Sequence, residues 1–396
     1  MNIAMVGTFG LYRKGTVRAR ALPLARALAA RGHRVWLLVP PWDSPWESGC
    51  AWVQDGVQII HANLPSRLPG IFHLGLTLHL VRQTMTLPVD VVHCFKPKGY
   101  AGLTHFVLWW LRLAGLAKPQ LRLVVDEDDW EQAWNQIEAY SAVQKRFFAW
   151  QEVWGLRHAD SVTVASQELR RLVAQTGVPF DRIFYVPNGV WPDAFANCAA
   201  RRIVVRADKK DNSPILLLYS RFLEFRLERV VRILQQVVAH QPTARLLVVG
   251  KGLHHEEAEL ASLLCQAGLA DKVTFVGWVA SERLADYFAM ADVGLFPFDD
   301  TPVNRAKCSV KLIELLAAGI PVVADAVGQN REYILDGESG LLVYPEDDQA
   351  FAEAVLYLLR DASLRVRLGT AAAQRIRAHF EWPRLVEEVE RAYNTG

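Results

Sequence analysis

Short apolar runs alternate with helix-length segments in two separate series along this 396-residue chain. The first series places strands at 2–6, 35–39, 57–61, 89–93, 121–126, 161–165 and 183–186; the second places them at 215–219, 245–249, 272–276, 292–296, 321–324 and 340–343. Strands separated by helical crossovers can close only into largely parallel α/β sheets. Between the series, residues 191–212 are rich in Ala, Arg and Asp and show no clear periodicity, as a linker would. The chain is long enough for two complete cores. We expect Rossmann-like domains over 1–190 and 213–379, with a helix in 380–396 returning to the first.

The most informative stretch is 304–345, NRAKCSVKLIELLAAGIPVVADAVGQNREYILDGESGLLVYP. Ser309 is the expected N-cap of a helix over 310–318, which Gly319 and then Pro321 terminate. Lys307 and Lys311 lie at the N-terminal end of that helix, where the dipole already makes the field positive. Cations there imply a docked anion. Glu314, one turn beyond Lys311, has the acceptor oxygens to take two hydrogen bonds from a vicinal diol such as ribose. The arrangement is that of a nucleotide grip, with cations on phosphate and a carboxylate on the sugar; the plainer alternative is a surface helix with solvated lysines.

Composition narrows the setting. The five cysteines are widely spaced with no CxxC pair, which argues against a disulfide framework or a zinc site and for a reducing cytoplasm. The first residues, MNIAMVGTFG, carry no basic region before their apolar run and read as a strand, and no uncharged apolar run reaches membrane-spanning length. Residues 1–190 hold 20 Lys and Arg against 14 Asp and Glu, so the first half carries the positive balance and suits an anionic partner such as a lipid-linked acceptor or a membrane surface. Nucleic acid is not expected as a partner.

In the first half, the turn after the first strand holds Arg13, Lys14 and Gly15 and opens a helix over 17–30, with Arg18 a further candidate contact. The fourth strand ends His93-Cys94-Phe95-Lys96-Pro97, and the fifth runs into Asp126-Glu127-Asp128-Asp129-Trp130-Glu131. His93 is either a core histidine or a group facing substrate. Asp126, Asp128 and Asp129 are expected to bind acceptor hydroxyls, a metal-binding Asp-x-Asp or a plain acidic loop being the alternatives. The apolar segment 99–118, with Trp109 and Trp110 between lysines, reads as a buried crossover helix or as one lying on a membrane. In the second half, Ser220-Arg221-Phe222-Leu223-Glu224-Phe225-Arg226 follows the first strand, and guanidinium groups five residues apart can converge on a diphosphate. Strand-end turns at Gly250 and Gly277 would line the same place.

LIELLAAGIPVVA followed by VGQNREYILDGESGLLV resembles the donor-binding signature of the retaining GT-B glycosyltransferases typified by glycosyltransferase family 4, and the resemblance extends over nearly the whole chain. It implies two Rossmann-like domains facing a cleft and transfer of a hexose-type unit from a nucleotide-diphosphate sugar to a hydroxyl of a glycan, lipid-linked or small-molecule acceptor. Retention at the anomeric carbon and independence of metals and other cofactors are also implied. Catalytic roles then fall to Arg221, Arg226 and His93; donor binding to Glu314, Lys311, Lys307, Ser309, Gly250 and Gly277; acceptor binding to Arg13, Lys14, Gly15, Asp126, Asp128 and Asp129. The chain departs from the family pattern where Ala306 replaces the first of two glutamates, Phe95 replaces the second histidine of His-x-His, Arg226 stands for a lysine and Leu227 for a glycine. A non-catalytic GT-B relative and a sugar-nucleotide 2-epimerase are the alternative readings, and a peripheral contact with the inner face of the membrane is expected.

Overall fold

The computed structural model describes residues 1–11, 15–65, 71–208 and 213–395. It divides into two compact units, the first comprising Met1–Asn188, Ala306–Cys308 and Trp382–Gly396 and the second Gly189–Arg305 and Ser309–Glu381.

The first unit is built on eight strands: β1 (Asn2–Val6), β2 (Arg34–Val39), β3 (Ala51–Gln54), β4 (Val57–His61), β5 (Val91–Phe95), β6 (Arg122–Glu127), β7 (Ser161–Val164) and β8 (Ile183–Tyr185), in the order β3-β4-β2-β1-β5-β6-β7-β8. Its central strands are apolar without alternation because helices cover both faces of a parallel sheet. The edge strand β3 runs antiparallel to β4 and is absent from the sequence reading. Its turn, Asp55-Gly56, takes φ of 50° and 80°, the left-handed pair that a two-residue hairpin loop demands. The helix Trp382–Asn394 belongs to this unit, and the Ser161 hydroxyl donates to the Ala392 carbonyl at 2.7 Å.

The second unit holds β9 (Ile215–Tyr219), β10 (Arg245–Val249), β11 (Val273–Gly277), β12 (Val293–Phe296), β13 (Val322–Asp325) and β14 (Leu341–Val343), all parallel, in the order β11-β10-β9-β12-β13-β14. The segment expected to be an irregular linker contains a helix, Cys198–Asp208, packed on the helix Leu284–Met290. Hydrophobic periodicity could not find it, because Ile203 and Val204 face solvent; Arg201 pairs with Asp286, and Arg202 donates to the Gly319 carbonyl at 3.0 Å.

β5 starts two residues later than the sequence suggested and ends at Phe95. That shift decides where His93 sits.

Candidate active site

In the second unit the chain runs outward from β9 through β10 to β11, then returns to β12 beside β9 and runs outward the other way. The reversal lies between β9 and β12, and ligands of doubly wound sheets bind outside the carboxyl ends of the strands at such a point. A small cavity occupies that position. It is lined by Tyr219 and Ser220 from the end of β9, by Phe296 and Phe298 from the end of β12, and by Ser309 and Lys311 from the start of the helix Val310–Ala317.

Three of the expected donor residues meet here. Ser309 is the N-cap, in extended conformation, although its hydroxyl makes no capping hydrogen bond. Lys311 places its ammonium 4.8 Å from the centre of the Tyr219 ring. Glu314 accepts a 3.0 Å hydrogen bond from the Tyr219 hydroxyl. Burial raises the Glu314 pKa, against the opposing pull of Lys311 and of the Tyr219 hydrogen bond. Tyr219 is itself held protonated well above its ordinary range, by burial and by the neighbouring carboxylate. The site thus holds one acceptor and one cation on a single helix face, oriented by a tyrosine.

The glycine turns close in beside Ser220. Gly250 has φ of 130°, and a Cβ there would lie 1.9 Å from the Ser220 carbonyl oxygen, so no other residue fits without moving β9. Its N–H donates to the Gly277 carbonyl at 2.8 Å, joining the ends of β10 and β11.

Arg221 follows Ser220 and is half-buried, while Arg226 caps the helix Leu227–His240 with its guanidinium 59% exposed. Arg226 pairs with Glu346 at 3.1 Å and approaches Asp299 at 3.4 Å. Behind it stands a residue the sequence reading missed. Arg229 is fully buried and bonds Asp348 at 2.8 Å, Asp299 at 2.9 Å and Asp325 at 3.0 and 3.1 Å. Burial opposes its charge, but the three carboxylates outweigh that and raise its pKa. It locks the loop after β12, the end of β13 and the start of the helix Asp348–Arg360 into one frame.

Lys307 lies in Ala306–Cys308, which belongs to the first unit. Ala306 is buried and its carbonyl accepts from the Ser166 hydroxyl at 2.7 Å.

The first unit places its candidates differently. Arg13 and Lys14 lie outside the described residues; Gly15 and Arg18 are exposed. His93 is sealed in the core. The Thr163 hydroxyl donates its one proton to Asp126 Oδ1 at 2.6 Å, so it accepts from His93 Nε2 at 3.1 Å, and His93 Nδ1 accepts from the Tyr393 hydroxyl at 2.9 Å. Burial brings its pKa down to about 4. The expectation of a substrate-facing His93 is corrected: the register of β5 puts it inside the sheet with both ring nitrogens satisfied. Asp126 is likewise withdrawn from acceptor binding, because its carboxylate is buried and holds Arg20 bidentately at 2.6 and 2.7 Å. Arg20 also donates to Asn188 Oδ1 at 3.2 Å. It sits in a π-helical turn, Val17–Ala21, on the same buried face as Val17 and Ala21. A charge on an apolar stripe requires a buried partner, and that was the available signal.

Asp128 and Asp129 stay near the carboxyl end of β6, at 3.3 and 2.8 Å from the Lys96 ammonium, which also bonds Glu131 at 2.9 Å. Lys98 bonds Glu131 at 2.6 Å and Asn135 at 3.1 Å. Burial pushes Asp128 up to about 7 and Glu152 up to about 8, and neither Glu127 oxygen has a hydrogen-bond partner among the described residues. No group of three His, Cys, Asp or Glu side chains among the described residues is arranged to hold a metal ion.

Comparison with known proteins agrees with the two-sheet fold. The model of the family "Glycosyl transferases group 1" matches residues 213–361, and that of the "Glycosyl transferase 4-like domain" matches residues 15–189. The chain is 29% identical to a D-inositol 3-phosphate glycosyltransferase of Xylanimonas cellulosilytica, over 93% of this chain and 88% of that one. It is 27% identical to a GDP-mannose-dependent alpha-(1-6)-phosphatidylinositol monomannoside mannosyltransferase of Mycobacterium tuberculosis, over 92% and 91%. Among solved structures it is similar to the sucrose-phosphate synthase of Thermosynechococcus elongatus, with a TM-score of 0.73 at 22% identity over 99% and 98% of the two chains. It is also similar to Anabaena HepE in complex with UDP and glucose, with a TM-score of 0.72 at 16% identity over 98% of each. One family model thus covers the first sheet and the other the sheet that carries Lys311 and Glu314, and the chain belongs to the group 1, family 4-like glycosyltransferases of the GT-B fold class.

Proposed function

We propose that this glycosyltransferase moves a hexose-type unit from a nucleotide-diphosphate sugar to an acceptor hydroxyl with retention at the anomeric carbon and without a divalent metal. The observation that carries the reading is the placement of Lys311, Tyr219 and Glu314 at the strand reversal of the second unit. Glu314 takes the ribose hydroxyls, and Lys311 with the N–H groups at its helix start takes phosphate. Gly250 and Gly277 leave room for the base beside β9.

Departure of the diphosphate builds negative charge on the leaving group, and cations aimed at it lower the barrier where they are most needed. Arg221 and Arg226 have that task. The exposed ion pair of Arg226 with Glu346 is weak enough to be exchanged for a phosphate. Arginines and a lysine at the diphosphate do the work a divalent ion does elsewhere, which is why metal independence is proposed. With His93 buried, the departing phosphate itself is left as the base on the donor's own face.

For the acceptor, the relatives named above act on an inositol phosphate and a phosphatidylinositol mannoside. A polyol or lipid-linked acceptor met at the cytoplasmic face of the membrane is the corresponding proposal here, with Asp128 and Asp129 its hydroxyl-binding candidates. We propose that any contact with lipid is peripheral; no helix among the described residues is long and apolar enough to cross a membrane. The test is to incubate the chain with a panel of nucleotide-diphosphate sugars and polyol or lipid acceptors, with EDTA and without, and to read the product's anomeric configuration by NMR. Retained configuration with activity undiminished by EDTA is expected. An inverted product, or activity restored only by magnesium or manganese, contradicts the reading.

A further inference from the structure

Two helices of the first unit, Gly99–Leu113 and Ala142–Arg157, meet through aromatic rings and leave an apolar face uncovered. Phe106 joins them, its ring centre 6.4 Å from Trp110 on its own helix and 5.8 Å from Trp150 on the other. Phe147 extends the line 5.9 Å beyond Trp150. Trp110 is 50% exposed and Trp150 46%, with Leu113 and Val143 more exposed still. Single exposed apolar residues are ordinary; a connected face of large rings marks an interaction surface. A second layer fixes the platform from below, where Trp154 stacks on His158 with ring centres 4.1 Å apart and contacts Phe106 at 4.7 Å. The rings are therefore held in place before any partner arrives.

The exposed charges within the two stretches that carry these rings are basic. Neither 99–118 nor 139–151 contains an Asp or Glu, while Lys118 and Arg146 are exposed within them. Arg146 falls between Val143 and Trp150 at helical spacing, so a cation sits on the aromatic stripe itself. Tryptophan with its amphipathic ring settles at the boundary of headgroup and acyl chain, and basic side chains beside it reach anionic headgroups.

We propose that this face docks on an anionic lipid bilayer, the aromatic rings entering the headgroup boundary and Arg146 and Lys118 contacting headgroup phosphates. It deepens the peripheral contact proposed above. Its test needs neither sugar donor nor acceptor.

The full chain is sedimented with vesicles of phosphatidylcholine alone and of phosphatidylcholine with phosphatidylglycerol, while tryptophan emission is recorded. Binding to the anionic vesicles with a blue shift, weakened by added salt, is expected. Trp110→Ser with Trp150→Ser should lower the partition constant by about tenfold or more, since two interfacial anchors are lost. Arg146→Glu, which removes no packing, should weaken binding to anionic vesicles severalfold and leave the neutral ones unaffected. Unchanged melting temperature and nucleotide binding in the variants show that the fold stands. Absence of vesicle binding at low salt overturns the proposal, as does self-association of the wild type abolished by the tryptophan variant, which would make a second copy the occupant. Vesicle binding without sugar transfer would count against the enzymatic reading alone.

Discussion

Tyr219 donates to Glu314 across the end of β9 at 3.0 Å, so the tyrosine orients the carboxylate proposed to hold a ribose. Pre-orientation saves the ordering cost at binding. Tyr219→Phe removes the donor and leaves the carboxylate buried. Nucleotide affinity should fall by about 0.5–1.5 kcal/mol, the ordinary net worth of one hydrogen bond. Because that bond lowers a Glu314 pKa that burial has raised, its loss should also move the acid limb of the affinity profile to higher pH. Calorimetric titration from acid to neutral pH checks both, and an unshifted limb would leave Tyr219 a packing residue.

Arg20 and Asp126 are both buried and bound bidentately. Asp126→Leu would strand the guanidinium, and breaking a buried pair from one side costs about 3–5 kcal/mol. Replacing both partners, with Arg20→Met added, should recover most of that loss. Denaturant melts of the single and double variants make the comparison; a double variant as unstable as the single would show that the pair does more than balance charge.

Glu152 gives a pH dependence of definite sign. Its folded pKa of about 8 lies above the ordinary carboxylate value of 4.5, chiefly through burial and then through Glu131. The folded state therefore keeps a proton that the unfolded state releases. The stability it contributes is complete below the unfolded value and is lost as pH rises towards 8. Glu127, Glu131 and Lys98 share its surroundings. Glu152→Gln keeps the acceptor for the Glu131 N–H, now 2.7 Å from Glu152 Oε1, and cannot ionise. Relative to wild type, the variant should gain stability between pH 5 and 8; parallel stability curves would refute the assignment.

The alternation of strands and helices was legible because parallel strands buried on both faces leave unbroken apolar runs, and the helix from Val310 was legible through its Ser309 start and Gly319 end. Register was less so. Val89 and Val91 are equally apolar, and only pairing with β1 and β6 sets the start of β5, which turned His93 from a strand-end group into a core residue. The hairpin at Asp55-Gly56 carried its own signal and was overlooked. Arg20 and Arg229 escaped notice because their partners lie far along the chain and burial is not written in any local pattern. The helix Cys198–Asp208 escaped because Ile203 and Val204 face water.

The central claim is that the second unit holds a nucleotide-diphosphate sugar between Glu314 and the arginines after β9. Its most direct test is calorimetric donor affinity together with turnover for Glu314→Gln and Arg226→Ala. Glu314→Gln removes a charge-assisted contact made equally before and during reaction, so affinity should fall by about 1.5–3 kcal/mol with turnover at saturation little changed. Arg226→Ala should do the opposite, lowering turnover by about 10²-fold or more with a smaller loss of affinity, because the charge it meets grows towards the transition state. Two variants that differ in this way are what the account predicts. Unchanged affinity in the first and unchanged turnover in the second would contradict it.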